Sequence, residues 1–121
     1  MTRVKVEVSV PDSHVEVVLA ALHEAGAGRV GGYDHCSSSW RVSGTWRPLA
    51  GAAPYLGRVG HVEHGEECRV ESVCDIDDVA SVHEAVRRVH PYEEPLVLFL
   101  PVYDPPAVAP RDAQPPGSSS S

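Results

Sequence analysis

The stretch that decides the fold is Arg3-Val4-Lys5-Val6-Glu7-Val8-Ser9-Val10, in which valine alternates with polar or charged residues. A period of two residues is typical of a β-strand that buries one face. Residues 4–7 align with Cys68-Arg69-Val70-Glu71, which lies 64 positions further along the chain. The alignment continues through the residues that follow each copy, so the sequence contains an internal repeat.

Each copy of the repeat continues from a strand into a helix. The apolar positions of the first helix are Val15, Val18, Leu19 and Leu22, and those of the second are Val79, Val82, Val86 and Val89. Their spacing of three and four residues is typical of one buried helix face. Ser13 and Glu16 have the spacing of a capping box at the start of the first helix, and Asp75 is expected to cap the second.

Two further strands are predicted outside the repeat. Residues 37–47 form one of them, with a bulge at Gly44. Residues 58–63 are expected to form an arm that turns at His64-Gly65 into residues 66–75. Residues 96–102 are apolar without alternation, which predicts a strand buried on both faces.

The resulting order is strand, helix, strand, strand, helix, strand (βαββαβ). Because crossover connections are right-handed, this order predicts an α+β ferredoxin-like sandwich, a four-stranded antiparallel sheet with two helices on one face. The uncovered sheet face is a candidate subunit contact. We assign residues 1–103 to this domain. Residues 104–121, with five prolines and four closing serines, are predicted to be a disordered tail.

The composition excludes several classes of function. The chain has 121 residues, with 10 Lys and Arg against 17 Asp and Glu, which gives a formal net charge of −7. Such an acidic surface repels phosphate groups, so neither nucleic acid nor an anionic membrane is an expected partner. The longest apolar run, residues 95–102, is too short to span a bilayer. Three cysteines, an odd number, favour a reducing compartment, and we expect a cytoplasmic protein.

The segment His90-Pro91-Tyr92-Glu93-Glu94-Pro95 places an imidazole, a phenol and two carboxylates between two stiff prolines. The prolines hold these polar groups more firmly than a solvated turn requires. We predict that His90, Tyr92, Glu93 and Glu94 face a ligand. If the ligand is a divalent cation, His90, Glu93 and Glu94 are the predicted metal ligands. The alternative is a helix end followed by a solvated turn.

A second polar segment, residues 26–37, has four glycines within seven residues, followed by Asp34, His35 and Cys36. Glycines allow a tight turn or a close approach of the backbone to a ligand. Neighbouring side chains on an extended chain point to opposite sides, so Asp34 and Cys36 share a face and His35 does not. We predict His35 and Cys36 as secondary ligand-binding residues. The alternative is a glycine-rich turn with ordinary polar residues.

Motifs of catalysis are absent from the sequence. It has no Gly-x-Ser-x-Gly nucleophile elbow, no His-Glu-x-x-His zinc motif and no Cys-x-x-Cys pair. We therefore predict no catalytic residue and do not expect an enzyme. His14, His23 and His83 are predicted to be solvated on helix surfaces, and Cys68 and Cys74 to be buried as small apolar residues.

Four segments together resemble a known family. They are Gly26-Ala27-Gly28-Arg29-Val30-Gly31-Gly32-Tyr33-Asp34-His35-Cys36-Ser37, Gly44-Thr45-Trp46-Arg47-Pro48, Gly51-Ala52-Ala53-Pro54-Tyr55-Leu56-Gly57 and His90-Pro91-Tyr92-Glu93-Glu94-Pro95. In this order they resemble the PII-like, or CutA-like, domain inserted into bacterial members of the GTP cyclohydrolase type 2-homologue family, the YqfO type of dinuclear-metal protein. The resemblance covers residues 3–102.

The resemblance implies a PII/CutA-like ferredoxin fold and a homotrimer in which three sheets face inward. It also implies that small ligands or metal ions lie in clefts between subunits. The family's two flanking lobes, which hold its metal pair, have no counterpart in this sequence, so we expect a stand-alone version of the insert. No metal-pair residue and no hydrolase activity is carried over.

These observations lead to one principal hypothesis and two alternatives. The principal hypothesis is a non-catalytic, cytoplasmic, trimeric PII/CutA-like module that binds a small ligand or a divalent metal ion and has a regulatory role. The first alternative is a structural module that scaffolds a partner protein, in which residues 90–95 form salt bridges between subunits. The second alternative is a small metal-dependent hydrolase or a Cys-dependent enzyme.

Overall fold

The structure, a computed structural model, describes residues 2–103 and 105. Its strands and helices, in chain order, are β1 (Arg3–Val10), α1 (Val15–Glu24), β2 (Ser38–Trp46), β3 (Glu63–Asp75), α2 (Val79–Val89) and β4 (Val97–Pro101). The four strands form one antiparallel sheet in the order β2-β3-β1-β4. The predicted βαββαβ order and ferredoxin-like topology are confirmed.

The positions of the helices confirm the internal repeat. Each helix follows a single 3-10 turn, Asp12–His14 before α1 and Ile76–Asp78 before α2, and the two turns begin 64 positions apart. β1 and β3 are antiparallel neighbours in which Val4 pairs with Cys74 and Val10 pairs with Cys68. The two copies are therefore related by an approximate twofold axis that passes between these strands.

The two copies begin their helical segments differently. A side-chain oxygen of Asp75 accepts a hydrogen bond from the backbone N–H of Asp77 at 2.9 Å, as predicted for a cap. The capping box predicted in the first copy is wrong, because the Ser13 hydroxyl contacts Nδ1 of His14 at 2.7 Å instead. Ser13 lies inside the 3-10 turn, where the N–H of His14 already bonds the carbonyl of Pro11.

The core lies between the sheet and the two helices. Its buried residues include Val4, Val6, Val8, Val10, Val18, Leu22, Cys68, Val70, Cys74, Val82 and Val86. All of them were predicted by the two periodicities, the cysteines included, whereas the predicted Val15, Leu19, Val79 and Val89 are half-buried and pack against this core. Each fully buried valine stabilises the fold by roughly 1.5–3 kcal/mol relative to an exposed one. Burial also raises the pKa of the Cys74 thiol, so this residue stays protonated.

Three local predictions about the strands were wrong. β3 begins at Glu63, so His64-Gly65 lies within the strand rather than in a turn. Gly44 pairs with Gly65 in regular register and forms no bulge. β4 is an edge strand whose Leu98 is 42% exposed, so it is not buried on both faces. The connection between β2 and β3 is consequently the long loop 47–62.

The sheet face opposite the helices has a polar centre and apolar margins. Lys5 and Ser38 both donate hydrogen bonds to the Glu71 carboxylate, and the bond from Lys5 is the main cause that lowers the pKa of Glu71. The apolar margins lie at the edges, where Trp40 of β2 and Leu98 of β4 are 40% and 42% exposed. Neither helix covers this face, which we call the open face.

The predicted tail, residues 104–121, lies outside the described residues apart from Pro105. Within the described part of the chain, neither helix has the length and apolar character needed to cross a membrane.

Candidate functional site

His90 is fixed at the end of α2 by two hydrogen bonds. Its Nε2 lies 2.6 Å from the carbonyl oxygen of Ser9, and its Nδ1 lies 3.1 Å from the backbone nitrogen of Tyr92. Because a backbone N–H can only donate, Nδ1 is the acceptor and the ring proton is on Nε2. Only 8% of the residue is exposed, and this burial lowers its pKa. A neutral imidazole therefore joins the helix end to β1.

Tyr92 connects the same segment to the open face of the sheet. Its hydroxyl donates a hydrogen bond of 2.9 Å to Glu67 of β3. Burial first, and then this hydrogen bond, raise the pKa of Tyr92, so the phenol remains a proton donor. The Tyr92 ring also packs against His90, with ring centroids 4.8 Å apart.

The two glutamates of the segment have different roles. Both carboxylate oxygens of Glu93 accept the backbone N–H of Ala53, at 3.0 and 3.2 Å. Glu93 therefore holds the β2–β3 loop against the segment 90–95. Glu94 is exposed and has no hydrogen-bond partner among the described residues. Its carboxylate remains available to a ligand or to another chain.

A cleft of about 480 Å³ lies between the segment 90–95 and the β2–β3 loop. Its lining includes Trp46, Pro48, Leu49, Pro54, Tyr55, Leu56, Glu67, Tyr92, Glu93, Glu94 and Leu96. The walls are mainly aromatic and apolar, and three carboxylates supply polar groups. Small-molecule sites usually have this character, with an apolar surface and a few oriented polar groups.

Trp46 fixes the loop to the end of β2. Its indole N–H donates to the carbonyl of Leu56 at 3.1 Å. Two glycines make room for the ring, because a Cβ at Gly57 would lie 3.2 Å from Nε1 and a Cβ at Gly65 would lie 3.1 Å from the ring. Trp46 lines the cleft, and the absence of a Cβ at these two glycines allows its ring to lie this close to them.

The glycine-rich segment is fixed to the other end of the sheet. The N–H of Gly28 donates to Val73 at 2.8 Å, and the N–H of Cys36 donates to Gly28 at 3.0 Å. Gly28 has a φ of +88°, and a Cβ at this position would lie 3.0 Å from the backbone nitrogen of Cys36. Glycine is therefore required here. This close approach sets the position of the residues that lead into β2.

His35, which directly precedes the Cys36 that is bonded to Gly28, is stacked on His23 of α1. The two ring centroids are 3.3 Å apart with an angle of 23° between the planes. Asp34 Oδ1 lies 2.8 Å from His35 Nδ1, and this hydrogen bond lowers the pKa of the Asp34 carboxyl. His23, predicted to be solvated, is half-buried, because His35 stacks on its ring. His23 Nδ1 is buried without a hydrogen-bond partner among the described residues.

The six predicted ligand-binding residues fall into two groups in the structure. His90, Tyr92, Glu93 and Glu94 lie by the cleft, near Ser9 at the end of β1. His35 and Cys36 lie near Val73, which pairs with Lys5 close to the start of β1. Ser9 lies four positions beyond Lys5 along β1, a distance of about 13 Å. The two groups do not meet within one chain.

The predicted metal ligands His90, Glu93 and Glu94 stay a prediction. In the arrangement described, both ring nitrogens of His90 and both carboxylate oxygens of Glu93 already have partners. A different set of side chains in the described part of the chain brings three metal-binding atoms within 4.8 Å of one another, and it consists of His23, Asp34 and His35.

Most of the cleft lining was not predicted from the sequence, and Trp46, Tyr55 and Glu67 are the most informative of the missed residues. Trp46 and Tyr55 lie in two of the segments that carry the family resemblance, but nothing local indicates that they face the segment 90–95. Glu67 reaches Tyr92 across 25 positions of sequence. Pairings of this kind depend on the sheet order, which no short pattern encodes.

Comparison with known proteins supports the resemblance to the GTP cyclohydrolase type 2 homologues that the sequence motifs indicated. No protein-family model matches the chain. The GTP cyclohydrolase 1 type 2 homolog of Mycobacterium tuberculosis is 48% identical over 99 residues, which cover 80% of this chain and 26% of the relative. The solved structure of a Bacillus cereus protein related to NIF3 has a TM-score of 0.75 at 36% identity, covering 85% of this chain and 26% of that protein.

A second solved structure shows the fold alone. The divalent cation tolerance protein Cut A1 of Thermus thermophilus has a TM-score of 0.63 at 19% identity, covering 86% of this chain and 87% of that one. The chain spans about a quarter of the length of the curated relatives that it matches. Over its described residues, this chain has the fold of the CutA proteins, and its sequence is similar to one segment of the GTP cyclohydrolase 1 type 2 homologs, in agreement with the resemblance seen in its motifs.

Proposed function

We propose that this domain is a non-catalytic, cytoplasmic, regulatory module that forms homotrimers and binds a small molecule in the cleft beside residues 90–95. The observation that carries the proposal is the cleft of about 480 Å³, whose loop wall is held by the bond from Ala53 to Glu93. A site whose walls are fixed before binding loses little entropy when a ligand enters.

The lining of the cleft indicates the chemistry of the ligand. Trp46, Tyr55 and Tyr92 offer aromatic surface, which suits a flat apolar group. The carboxylate of Glu94 lines the cleft without a hydrogen-bond partner among the described residues, which suits a hydrogen-bond donor or a positive charge. We expect a molecule that combines a flat apolar part with an amino or similar donor group.

The trimer is supported by the open face and by the CutA-like fold. Trp40 and Leu98 expose apolar surface at the two margins of that face, and a second and third copy would bury it. The cleft reaches the same margin at Leu96. His35 and Cys36 lie at the other end of the sheet, so in this proposal they reach a cleft only as residues of a neighbouring copy.

Binding of a divalent cation by His90, Glu93 and Glu94 is the less favoured form of the proposal. It requires His90 to break its hydrogen bond to Ser9 or to Tyr92. It also requires Glu93 to break its hydrogen bonds to the Ala53 N–H of the loop. A small molecule needs no such rearrangement. The scaffold alternative is favoured by one observation, namely that the unpartnered Glu94 carboxylate is equally suited to a salt bridge with another subunit.

Native mass spectrometry of the untagged full chain, purified gently from its expression host, tests the proposal. We expect a trimer that carries a reproducible small-molecule adduct. Glu94→Gln is expected to remain trimeric and to lose the adduct. Asp77→Asn removes an equal charge from an exposed position remote from the cleft, and this control is expected to keep it.

Other outcomes decide against particular parts of the proposal. A monomer contradicts the trimer. A Glu94→Gln protein that dissociates, while Asp77→Asn does not, favours the scaffold alternative. A trimer without an adduct, which is also not stabilised by any member of a panel of aromatic amines in thermal unfolding, contradicts the ligand chemistry proposed for the cleft.

A further inference from the structure

The junction between the end of α1 and the start of β2 contains a cluster of side chains that the cleft does not use. Donor atoms of His23, Asp34 and His35, one from each residue, lie within 4.8 Å of one another. They stand beside a second cavity of about 430 Å³ whose lining includes His23, His35, Cys36 and Ser72. This cluster is separate from the cleft and does not depend on the function proposed for it.

We infer that His23, Asp34 and His35 form a binding site for a divalent transition-metal ion of the zinc type. Two imidazoles and one carboxylate are ligands that zinc and its neighbours prefer, whereas calcium and magnesium prefer oxygen ligands alone. In a tetrahedral site with metal–ligand bonds of about 2.1 Å, neighbouring donors lie about 3.4 Å apart. The three donors already lie within 4.8 Å of one another, and the two stacked imidazoles must turn relative to each other so that both lone pairs point at one ion.

A second observation points to a ligand at the same place. Nδ1 of His23 is buried and has no hydrogen-bond partner among the described residues. A buried polar atom without a partner costs about 1–3 kcal/mol. A cation bound at Nδ1 would provide that partner, because a neutral imidazole nitrogen is a strong metal donor. The stacked His35 ring, 3.3 Å away between centroids, provides a second imidazole beside it.

The backbone around the cluster positions its members before any ion binds. His23 lies in the last turn of α1, whose end is fixed by the bond from the N–H of Ala27 to the carbonyl of Leu22. Asp34 and His35 are held by the contact between Gly28 and Cys36. A site with three protein ligands leaves a fourth position for water or another small ligand.

Cys36 is excluded from the ligand set. It is not among the residues whose donor atoms converge, and its thiol points to the Asp34 carbonyl oxygen at 3.7 Å. The site therefore has nitrogen and oxygen ligands alone, which distinguishes it from the thiolate sites that soft metals favour.

Titration of the metal-free full chain with zinc chloride, followed by calorimetry, tests the inference. We expect one zinc ion per chain. His35→Gln and Asp34→Asn change exposed side chains, so folding is retained, and each is expected to weaken binding at least tenfold. His23→Gln is also expected to weaken zinc binding at least tenfold. A circular dichroism spectrum equal to that of the parent chain verifies that this variant is folded.

Three control variants complete the design. His83→Gln alters an exposed histidine of α2, and Cys36→Ser removes the neighbouring thiol. We expect both to bind zinc within twofold of the parent chain. Glu93→Gln combined with Glu94→Gln removes the carboxylates of the cleft and is also expected to bind normally, which separates this site from the cleft.

Several results would overturn the inference. One is a parent chain that does not bind zinc, and another is a His35→Gln variant that binds zinc as tightly as the parent chain. A third is loss of zinc binding in the double glutamate variant while His35→Gln still binds. Cobalt(II) provides an independent readout of the ligand types. A thiolate-to-cobalt charge-transfer band that Cys36→Ser abolishes would contradict the proposed ligand set, and a tetrahedral spectrum without that band supports it.

Discussion

The imidazole of His90 lies 2.6 Å from the carbonyl oxygen of Ser9 and accepts the N–H of Tyr92 on its other nitrogen. This pair of bonds joins the end of α2 to the end of β1 and fixes the start of the segment that lines the cleft. Protonation of Nδ1 would replace an acceptor by a donor opposite the Tyr92 N–H. The neutral ring is therefore a structural requirement of the segment.

Stability is expected to fall in mild acid because of His90. Its pKa in the folded chain is lowered from the ordinary value of 6.5 by burial, so the unfolded chain binds the proton more tightly. The stabilisation is complete above pH 6.5 and is lost as the pH falls from there to the lowered pKa. Denaturant unfolding between about pH 7.5 and 5 should show an added slope of at most about 1.4 kcal/mol per pH unit.

His90→Gln is the control for this slope, since it retains the other six histidines of the chain. We expect the variant to be less stable at neutral pH by about 1–3 kcal/mol, because the Ser9 carbonyl loses its donor. It should also lose less stability than the parent chain on acidification. Equal losses in the two proteins would contradict the assignment to His90.

Glu93→Gln is expected to loosen the β2–β3 loop without unfolding the domain. The variant replaces the charged two-oxygen acceptor of the Ala53 N–H by one neutral amide oxygen, a loss that at an exposed position is worth about 0.5–1 kcal/mol. Hydrogen exchange of Ala53 and its loop should become roughly two- to fivefold faster. Glu94→Gln, which changes a carboxylate that makes no such bond, should leave the exchange rates as they are.

Gly28→Ala is expected to destabilise the domain by about 1–3 kcal/mol. The positive φ is unfavourable for alanine, and the added Cβ would lie 3.0 Å from the backbone of Cys36, which has little room to move. Gly32→Ala is the matched control in the same segment, because no atom lies within 4 Å of a Cβ there. Thermal unfolding of the control should differ from the parent by less than about 0.5 kcal/mol.

Leu98→Lys is expected to dissociate the proposed trimer. The lysine lies opposite Glu7 on the open face, so the isolated chain tolerates it, but its burial between subunits would be costly. Val17→Lys is a control of equal exposure, 42%, on the surface of α1. Light scattering after gel filtration should find a monomer for Leu98→Lys and the parental mass for Val17→Lys. Identical masses for both variants would place the subunit contact elsewhere.

The chain's periodicities predicted nearly all of the fold. Alternating valines in β1 and helical spacing in α1 and α2 identified the buried residues, because burial selects apolar side chains at the period of each element. The offset of 64 residues identified the second copy before any contact was known. Predictions failed where local pattern was weak, as at His64-Gly65, which pairing with β2 draws into a strand.

The candidate site was predicted only in part. Its residues were missed because their partners are distant in sequence, whereas the strand predictions failed because the local pattern was weak. The prolines marked residues 90–95 as an ordered polar segment, but their roles depend on distant partners. Glu93 binds Ala53 and Tyr92 binds Glu67, and neither pairing leaves a trace in local sequence. The same holds for His23, which was expected in solvent and lies under His35.

What the sequence determined by itself was the fold, the core and the similarity to one segment of longer proteins. These follow from residue types at regular intervals, since each element's period is set by its own backbone geometry. The tertiary structure alone decided that one glutamate holds a loop while its neighbour stays available, and that two histidines meet beside an aspartate. Those facts depend on contacts between residues far apart in the chain, and only the packing of the sheet, helices and loops brings them together.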